Sequence, residues 1–517
     1  MSTREHAPVG PTVDVSPARR WASLAVLSAS LLVVTMDLTI LNVALPDLAA
    51  DLRPSATEQL WIVDSYSLVL AGLLIPMSAL ADRWGRKRLL LLGFVVFGAA
   101  SALVVLTDSP WQVVATRSLL GAGGAMIMPT TLSLLRSVFT DPAERATALG
   151  VWAAVSALGA AIGPIAGGLL LEHFSWHAAF LVNVPLMLAA VVAGALILPE
   201  ARAASPAPWD LPSVGLSIAG MVGLVWAVKR FAEEETFADA LGWVVLAAAL
   251  TMLATFVRRC LVRDEPLLDV RLFRRRPFTA GVVAALMAMF AMAAILLLLA
   301  QWLQLVEGHS PLAAGVRLLP LAGGGLVASL LASPLASLVG ARTVLASGLG
   351  VAGIGALLLP VVPGDLGYPT VAVAMALVGA GAGSLAIGSA MIMAGTPAER
   401  AGSAAAIEET AYDLGSVLGV AVLGSVASVV YRDHLATGPL VADGLPAAAA
   451  RAAEDSLGAA VDVATAAEAP ALAAQAAAAF TDALVDTSLV AGLVMVAVAV
   501  VVWLIAPRGL DITQQQH

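Results

Sequence analysis

The sequence predicts an all-α integral membrane protein of fourteen transmembrane helices, arranged as two six-helix bundles with two more helices inserted between them. Three observations carry this. Hydrophobic residues make up 60% of the chain and charged residues 12%, mean hydropathy is +0.92, and apolar runs near the length of a bilayer crossing recur from Trp21 to Ile505. The basic residues alternate between loops. Arg83, Arg86, Lys87, Arg88, Arg136, Arg145, Arg202, the run at 258–276, Arg342, Arg400 and Arg508 fall on one side, and only Arg53, Lys229, Arg230, Arg432 and Arg451 on the other. The positive-inside rule then puts both termini in the cytoplasm, as an even helix number requires. Third, DPAERATALG at 141–150 recurs as TPAERAGSAA at 396–405, and ALADRWGRKR at 79–88 meets PLASLVGAR at 334–342 with Gly85 opposite Gly340, both at an offset of 255. Two separated matches at one offset argue for a duplicated six-helix half.

The elements follow in order. Residues 1–20 are polar and Pro-rich, end in Arg19-Arg20, and read as a cytoplasmic tail. The N-terminal bundle, 21–198, has its helices at 21–46, 60–80, 89–107, 111–135, 146–170 and 177–198. Residues 199–277 carry the inserted helices, 211–230 and 240–260, with linkers on either side. The C-terminal bundle, 278–506, follows at 278–303, 312–336, 343–362, 368–393, 402–431 and 486–506, and 507–517 is a second cytoplasmic tail. Within it, 432–485 is Ala-rich and acidic (Asp433, Asp443, Glu454, Asp455, Asp462, Glu468, Asp482), too polar to span. It reads as an extracellular loop, a short helical hairpin over the external mouth by helix propensity, with a disordered loop as the alternative.

Several function classes drop out. A net charge of −9 excludes a generic nucleic-acid binder, and the single cysteine, Cys260, excludes an intrachain disulfide or a cysteine metal cluster. No P-loop pattern, metal cluster, nucleophile elbow or triad pattern stands out, so neither an ATP-driven pump nor an enzyme is expected, and no cofactor. The first apolar run is too long for a cleaved leader and lacks a cleavage pattern, so it reads as a retained helix.

The candidate chemistry lies in acids at membrane depth, where a carboxylate costs roughly 2.5–3.5 kcal/mol even on lenient scales. The stretch Ala404–Leu423, AAAIEETAYDLGSVLGVAVL, holds Glu408, Glu409 and Asp413. Helical spacing puts Glu409 and Asp413 on one face and turns Glu408 about 100° away, where a basic group near the cytoplasmic end is one partner to expect. Asp37 lies roughly 24 Å along the first helix from Trp21 and is expected to face a cavity, a packing carboxylate being the alternative. Asp64 is placed near the outer end of the second helix, within reach of water. Arg117 is a buried cation on the fourth helix, with a structural ion pair as its plain reading. Trp152, Trp226, Trp243, Trp302, Trp503 and the methionines of 287–292 read as anchors and packing before an aromatic cage.

Gly72-LLIPMSALADRWGRKR-Arg88 is similar to the signature loop of the major facilitator superfamily, matching it through Leu80, Ala81, Asp82, Arg83, Gly85, Arg86 and Lys87, with Ser78 where that family has glycine. Asp37-LTILNVALP-Pro46, Arg117-SLLGAGGAMIMP-Pro129 and Gly159-AAIGPIAGG-Gly168 then resemble the drug:proton antiporters. SWHAAFLVNVP at 175–185 and the fourteen-helix layout resemble the QacA/EmrB branch, and EETAYDLG at 408–415 its QacA/SmvA-like multidrug members. The resemblance implies a proton-coupled multidrug efflux antiporter of the cell membrane, working by alternating access on small lipophilic cations, with protons as the coupling ion. No nucleic-acid partner and a monomer are expected. It makes Asp37, Asp64, Glu408, Glu409, Asp413 and Arg117 proton-coupling or substrate residues, and Asp82, Arg83, Gly85, Arg86 and Lys87 gating residues. Gly159, Gly163, Pro164, Gly167 and Gly168 become an interface motif. A dedicated exporter of one metabolite or antibiotic, or a transporter-like sensor, are the competing readings. The tenth helix, about 312–336, carries no acid where some members have one.

Overall fold

The computed structural model describes residues 16–139, 142–202, 210–233, 239–263, 266, 269–361, 366–396, 401–435, 446–467 and 469–508, and within them the side chains of Asp82 and Asp413, among others, are outside the described set. The N-terminal half holds α1 (Pro17–Leu52), α2 (Ala56–Trp84), α3 (Arg86–Leu103), α4 (Pro110–Val138), α5 (Pro142–Leu171) and α6 (Asn183–Ile197). Between these and the later helices lie α7 (Leu211–Glu233) and α8 (Ala240–Val262), the pair expected to be an insert. The C-terminal half holds α9 (Arg276–Gln301), α10 (Leu319–Val339, preceded by the turn helix Pro311–Arg317), α11 (Ala341–Val361) and α12 (Tyr368–Gly383, continuing as Leu385–Ala394). It ends with α13 (Ala401–His434) and α14 (Pro470–Ile505). Among the described residues, eleven helices are long and apolar enough to cross a membrane, all of these but α2, α5 and α7.

The repeat is visible in backbone geometry. Gly85 ends α2 and opens α3 at φ +123°, and Gly340, 255 residues on, ends α10 and opens α11 at φ +88°. Only glycine takes such a turn without strain, so both halves fold their second and third helices about the same kind of hinge. Packing follows the same symmetry: α5 lies along α1, and α13 along α9. In both pairs glycines set the distance. A Cβ at Gly163 would stand 2.8 Å from the Met36 carbonyl oxygen, and one at Gly419 would stand 2.0 Å from that of Phe290.

The halves join toward one rim, the end that carries 53–55, 172–177 and 307–310. Gly168 lies against the backbone of Leu312, Gly315 against the Pro164 carbonyl, and Gly424 against Leu60. Gln304 Nε2 donates to the Val43 carbonyl at 3.1 Å, and Ser310 to Glu172 at 2.9 Å. At mid-depth α7 wedges into the same seam, its Met221 and Val225 packing with Leu68 of α2 and Val417 and Ala421 of α13.

The region 432–485 differs from expectation at its end. Two short helices, Ala447–Asp455 and Leu457–Ala466, stand on the rim, but the last helix begins at Pro470, sixteen residues before the expected 486. An alanine-rich stretch is intrinsically helical, and here Leu472, Ala476, Ala479 and Phe480 bury one face, so the helix extends beyond the apolar core of the span. Tyr431 Oη donates to the Ala453 carbonyl, and Gly458 sits beside Ala49 of α1, so this cap touches both halves. A cavity of about 50 Å³ between cap and seam is lined by Gln59, Leu60, Gln301, Gly424 and Tyr431.

The inserted hairpin has its own clasp at the opposite rim. Asp210 meets Arg259 at 2.7 Å and Arg263 at 3.5 Å, and accepts a hydrogen bond from Ser213. Burial works to raise the Asp210 carboxyl, but the Ser213 hydroxyl and the two guanidinium groups outweigh it and hold it below its ordinary value. A depressed carboxyl contributes stability that is present above its unfolded value near 4 and lost as pH falls through the folded one. Asp210→Asn is therefore expected to cost about 1–2 kcal/mol at neutral pH, discounted because both arginines are partly exposed. Thermal unfolding in detergent at pH 7 and pH 3.5 checks this: the deficit should shrink in acid, and an equal deficit at both would sink the account.

Candidate functional site

Two polar clusters lie inside the bundle, one in each half, and they are built differently.

In the N-terminal half, Asp37 of α1 is 0% exposed and Arg117 of α4 is 1% exposed, and they meet at 2.9 Å. Asn183, at the first turn of α6, donates its amide to the other carboxylate oxygen at 2.6 Å and also reaches Ser101. Arg117 Nε donates to the Ile62 carbonyl of α2, and its guanidinium lies 4.6 Å over the Tyr66 ring, which packs edge-on against Phe97. The glycines after Arg117 make this possible. A Cβ at Gly121 would stand 2.3 Å from the Tyr66 carbonyl oxygen, and one at Gly123 3.0 Å from the Phe97 backbone, so α2 and α3 close on α4 from two sides. Asp37 thus does not face a cavity, as its depth led us to expect. It is sealed in an ion pair, because α4 and α6 both bring donors to it. Asn183 was inside the quoted 175–185 stretch but nothing in the local pattern marked it, since it reaches Asp37 only when α6 packs on α1 and α3.

Asp64 is also corrected. It is 1% exposed on α2, two residues from Tyr66, and so is buried in the bundle instead of reached by water at the outer end.

In the C-terminal half, Glu408 of α13 is 7% exposed. Its Oε1 accepts hydrogen bonds from Ser389 of α12 and from Tyr412 Oη at 3.1 Å, with the two hydroxyls 3.5 Å apart. The basic partner expected for Glu408 near the cytoplasmic end is replaced by these hydroxyls, because Phe278, Val282, Ile392, Ala404 and Ile407 form an apolar cluster around that stretch of α13. Glu409, the next residue, is partly buried. Among the described residues, no arginine, lysine or histidine forms an ion pair with either acid. The Asp413 side chain lies outside the described residues.

The signature loop is folded against α6. Lys87 Nζ donates to the Ala195 and Leu198 carbonyls at 2.7 and 2.9 Å, where the helix C-terminus favours a cation. Arg86 reaches the Ser133 carbonyl of α4. Glu200, which sequence reading missed, accepts from the Lys87 amide at 3.2 Å and pairs with Arg88 at 3.7 Å, so a carboxylate caps the start of α3. Arg83 is exposed, Gly85 supplies the hinge described above, and the Asp82 side chain is outside the described residues.

The interface motif divides its work. Gly159 and Gly163 seat Thr35 and Thr39 of α1, Gly167 faces Ile40, and Pro164 with Gly168 meets Gly315 and Leu312 of the other half. The tryptophans do not gather into a cage: Trp302 is buried with its indole N–H on Thr481, Trp503 lies under Arg342, and Trp226 under Arg230.

Two sets of apolar helices joined along one rim, with buried acids in both, have the build of a multi-pass membrane transporter. The chain belongs to the Major Facilitator Superfamily, whose family model matches residues 27–420. It is 40% identical over 496 residues to the "Multidrug efflux pump LfrA" of Mycolicibacterium smegmatis, covering 95% of this chain and 97% of that one. It is 39% identical over 447 residues to the "Methyl viologen resistance protein SmvA" of Salmonella typhimurium, covering 86% and 89%. Among solved structures, a bacterial homolog of the human lysosomal transporter Spinster, crystallised inward-facing and unoccupied, superimposes with a TM-score of 0.66 at 16% identity over 95% of this chain and 98% of that one.

Proposed function

We propose that this protein is a proton-coupled multidrug efflux antiporter of the cytoplasmic membrane, working as a monomer on lipophilic cations. The observation that carries the reading is the acid pair Glu408–Glu409, held at membrane depth with no described basic partner. A carboxylate so placed attracts a cation and is discharged by a proton, and competition between the two gives antiport without ATP. The relatives support the substrate class: one is named a multidrug efflux pump, and another is named for resistance to methyl viologen, a dication. On this reading α2, α5 and α7, at 29, 30 and 23 residues, also span, completing fourteen helices with both termini inside. The joined rim then faces outward, and the described contacts fit an inward-facing state. Drug enters from the cytoplasmic side, the halves rock about the α5 and α13 glycine contacts, and external protons displace the cargo. Asp64 and Asp413 are further coupling candidates, and Asp82 with Arg83 a gate.

Protein in liposomes, given an outward-decreasing or inward-decreasing proton gradient, tests this with ethidium, methyl viologen and one neutral lipophile. Gradient-driven movement of the two cations, with counter-movement of protons, is expected. Movement of the neutral compound alone would favour a dedicated exporter, and no movement at all a sensor.

A further inference from the structure

The stretch 258–276, which joins α8 to α9, is basic in an acidic chain. It carries seven arginines and three acids, whereas the whole protein has a net charge of −9. The structure divides these arginines into two sets. Four hold the corner together. Arg259 and Arg263 are paired with Asp210. Arg271, in the 3-10 turn Val270–Arg274, donates to the Leu261 and Arg263 carbonyls at 2.8 and 3.3 Å, which lays that turn against the end of α8. Arg275 donates to the Gly395 carbonyl at the end of α12 at 3.2 Å. The other three, Arg258, Arg274 and Arg276, are exposed, and among the described residues they make no ion pair or hydrogen bond. Of the acids, Asp269 is turned inward, where it accepts from the Arg271 amide, and Asp264 and Glu265 lie outside the described residues.

Two features say what the free guanidinium groups meet. Arg258 lies one helical turn before Leu261 and Val262, which are 46% and 73% exposed at the end of α8. Side chains of that kind face hydrocarbon, so Arg258 starts inside the apolar edge and reaches outward past them. A cation at that depth is costly unless an anion meets it, and the anions at that depth are lipid phosphates. Arg274 and Arg276 stand at the start of α9, beside Phe273, which is 39% exposed and packs edge-on against Phe278 at 5.3 Å. A helix N-terminus favours negative charge, so unpaired cations placed there oppose the dipole until an anion joins them. A guanidinium fork presents two parallel N–H donors to a phosphate.

We propose that Arg258, Arg274 and Arg276 form a site for the phosphate of an anionic phospholipid, on the rim opposite the joined one. Leu261, Val262 and Phe273 then lie against the upper part of its acyl chains. The four pinned arginines fix the frame, so a bound headgroup bridges the end of α8 to the start of α9. The site is separate from the buried acids and stands whether or not protons drive transport.

The test is lipid binding to purified full-length protein in a neutral detergent, read by native mass spectrometry with phosphatidylglycerol and phosphatidylcholine of the same chains. Wild type should take up the anionic lipid in preference, and less of it as ammonium acetate is raised. Each arginine removed should weaken this binding about fivefold, and Arg258→Gln/Arg274→Gln/Arg276→Gln by about a hundredfold. The same loss of charge in Arg19→Gln/Arg202→Gln/Arg508→Gln, at exposed positions elsewhere, should cost about twofold or less. Equal losses in the two triple variants would mean that surface charge alone attracts the lipid, and overturn the site. Full displacement by millimolar glycerol 3-phosphate would assign the arginines to a soluble anion and overturn the lipid assignment, as would no preference in wild type. Taking three positive charges from one loop can also disturb insertion. Arg274→Gln alone then decides: an affinity equal to that of wild type overturns the proposal.

Discussion

Arg117→Met is expected to lower the stability of the N-terminal half by about 3–5 kcal/mol and to abolish transport. The pair it breaks is fully buried, and among the described residues Asp37 would keep the Asn183 amide as its one donor. A lone carboxylate there has lost both its counter-charge and the planar group stacked on Tyr66. The informative comparison is with Asp37→Asn/Arg117→Met. Removing both charges together discards the desolvation penalty along with the attraction, so the double variant should recover most of the lost stability. It should not recover transport if Asp37 is needed as a fixed charge. Thermal unfolding of the two single variants and the double, read as a cycle, gives the coupling; additive losses would mean that the pair does not hold the half together.

Gly168→Val should drive the transporter away from the rim-closed state. A Cβ at this position would stand 2.3 Å from Leu312 Cα and 2.7 Å from the Pro311 carbonyl oxygen, so the obstruction is backbone and no side chain can turn aside. Overpacking of this kind costs about 1–3 kcal/mol when it must be accommodated in place, and separating α5 from Pro311–Arg317 avoids it. A two-state equilibrium would then shift by about 5- to 150-fold toward the rim-open form. Spin labels at His173→Cys and Glu307→Cys, both on exposed positions of the rim, should report a longer distance distribution in the variant. An unchanged distribution would show that the seam absorbs the bulk locally. Transport should fall in either case, so distance, not flux, is the deciding measurement.

Most helix positions could be read from hydropathy, because a bilayer crossing demands a long apolar run and the ends are marked by charge, proline or glycine. The first helix begins a few residues early, at Pro17, since a proline suits a first turn and the polar Arg19 and Arg20 can remain helical at the rim. α14 starts sixteen residues before its apolar run because hydropathy reports the lipid-crossing part of a helix, whereas alanine propensity and burial of Phe480 set its true length. Site residues divide in the same way. Asp37, Arg117, Glu408 and Glu409 stand out in the sequence because charge is costly in lipid. Asn183 and Ser389 do not, since asparagine and serine are unremarkable in such helices until another helix brings an acid to them, whereas Tyr412 sits one helical turn from Glu408 and its spacing was open to reading.

The sequence by itself determined that this is a helical membrane protein of the Major Facilitator Superfamily with acids inside its apolar helices, since apolar length, the signature motifs and the placing of charge are properties of the chain alone. Only tertiary packing decided the partner of each acid. Asp37 faces donors because α4 and α6 approach from 80 and 146 residues away in the chain, and Glu408 faces hydroxyls because the neighbouring α12 packs on α13 beside its own Tyr412. A carboxyl's spacing shows which way it points and which neighbour one turn away can reach it, but the rest of its chemistry is fixed by the donors and acceptors that other helices bring within about 3 Å.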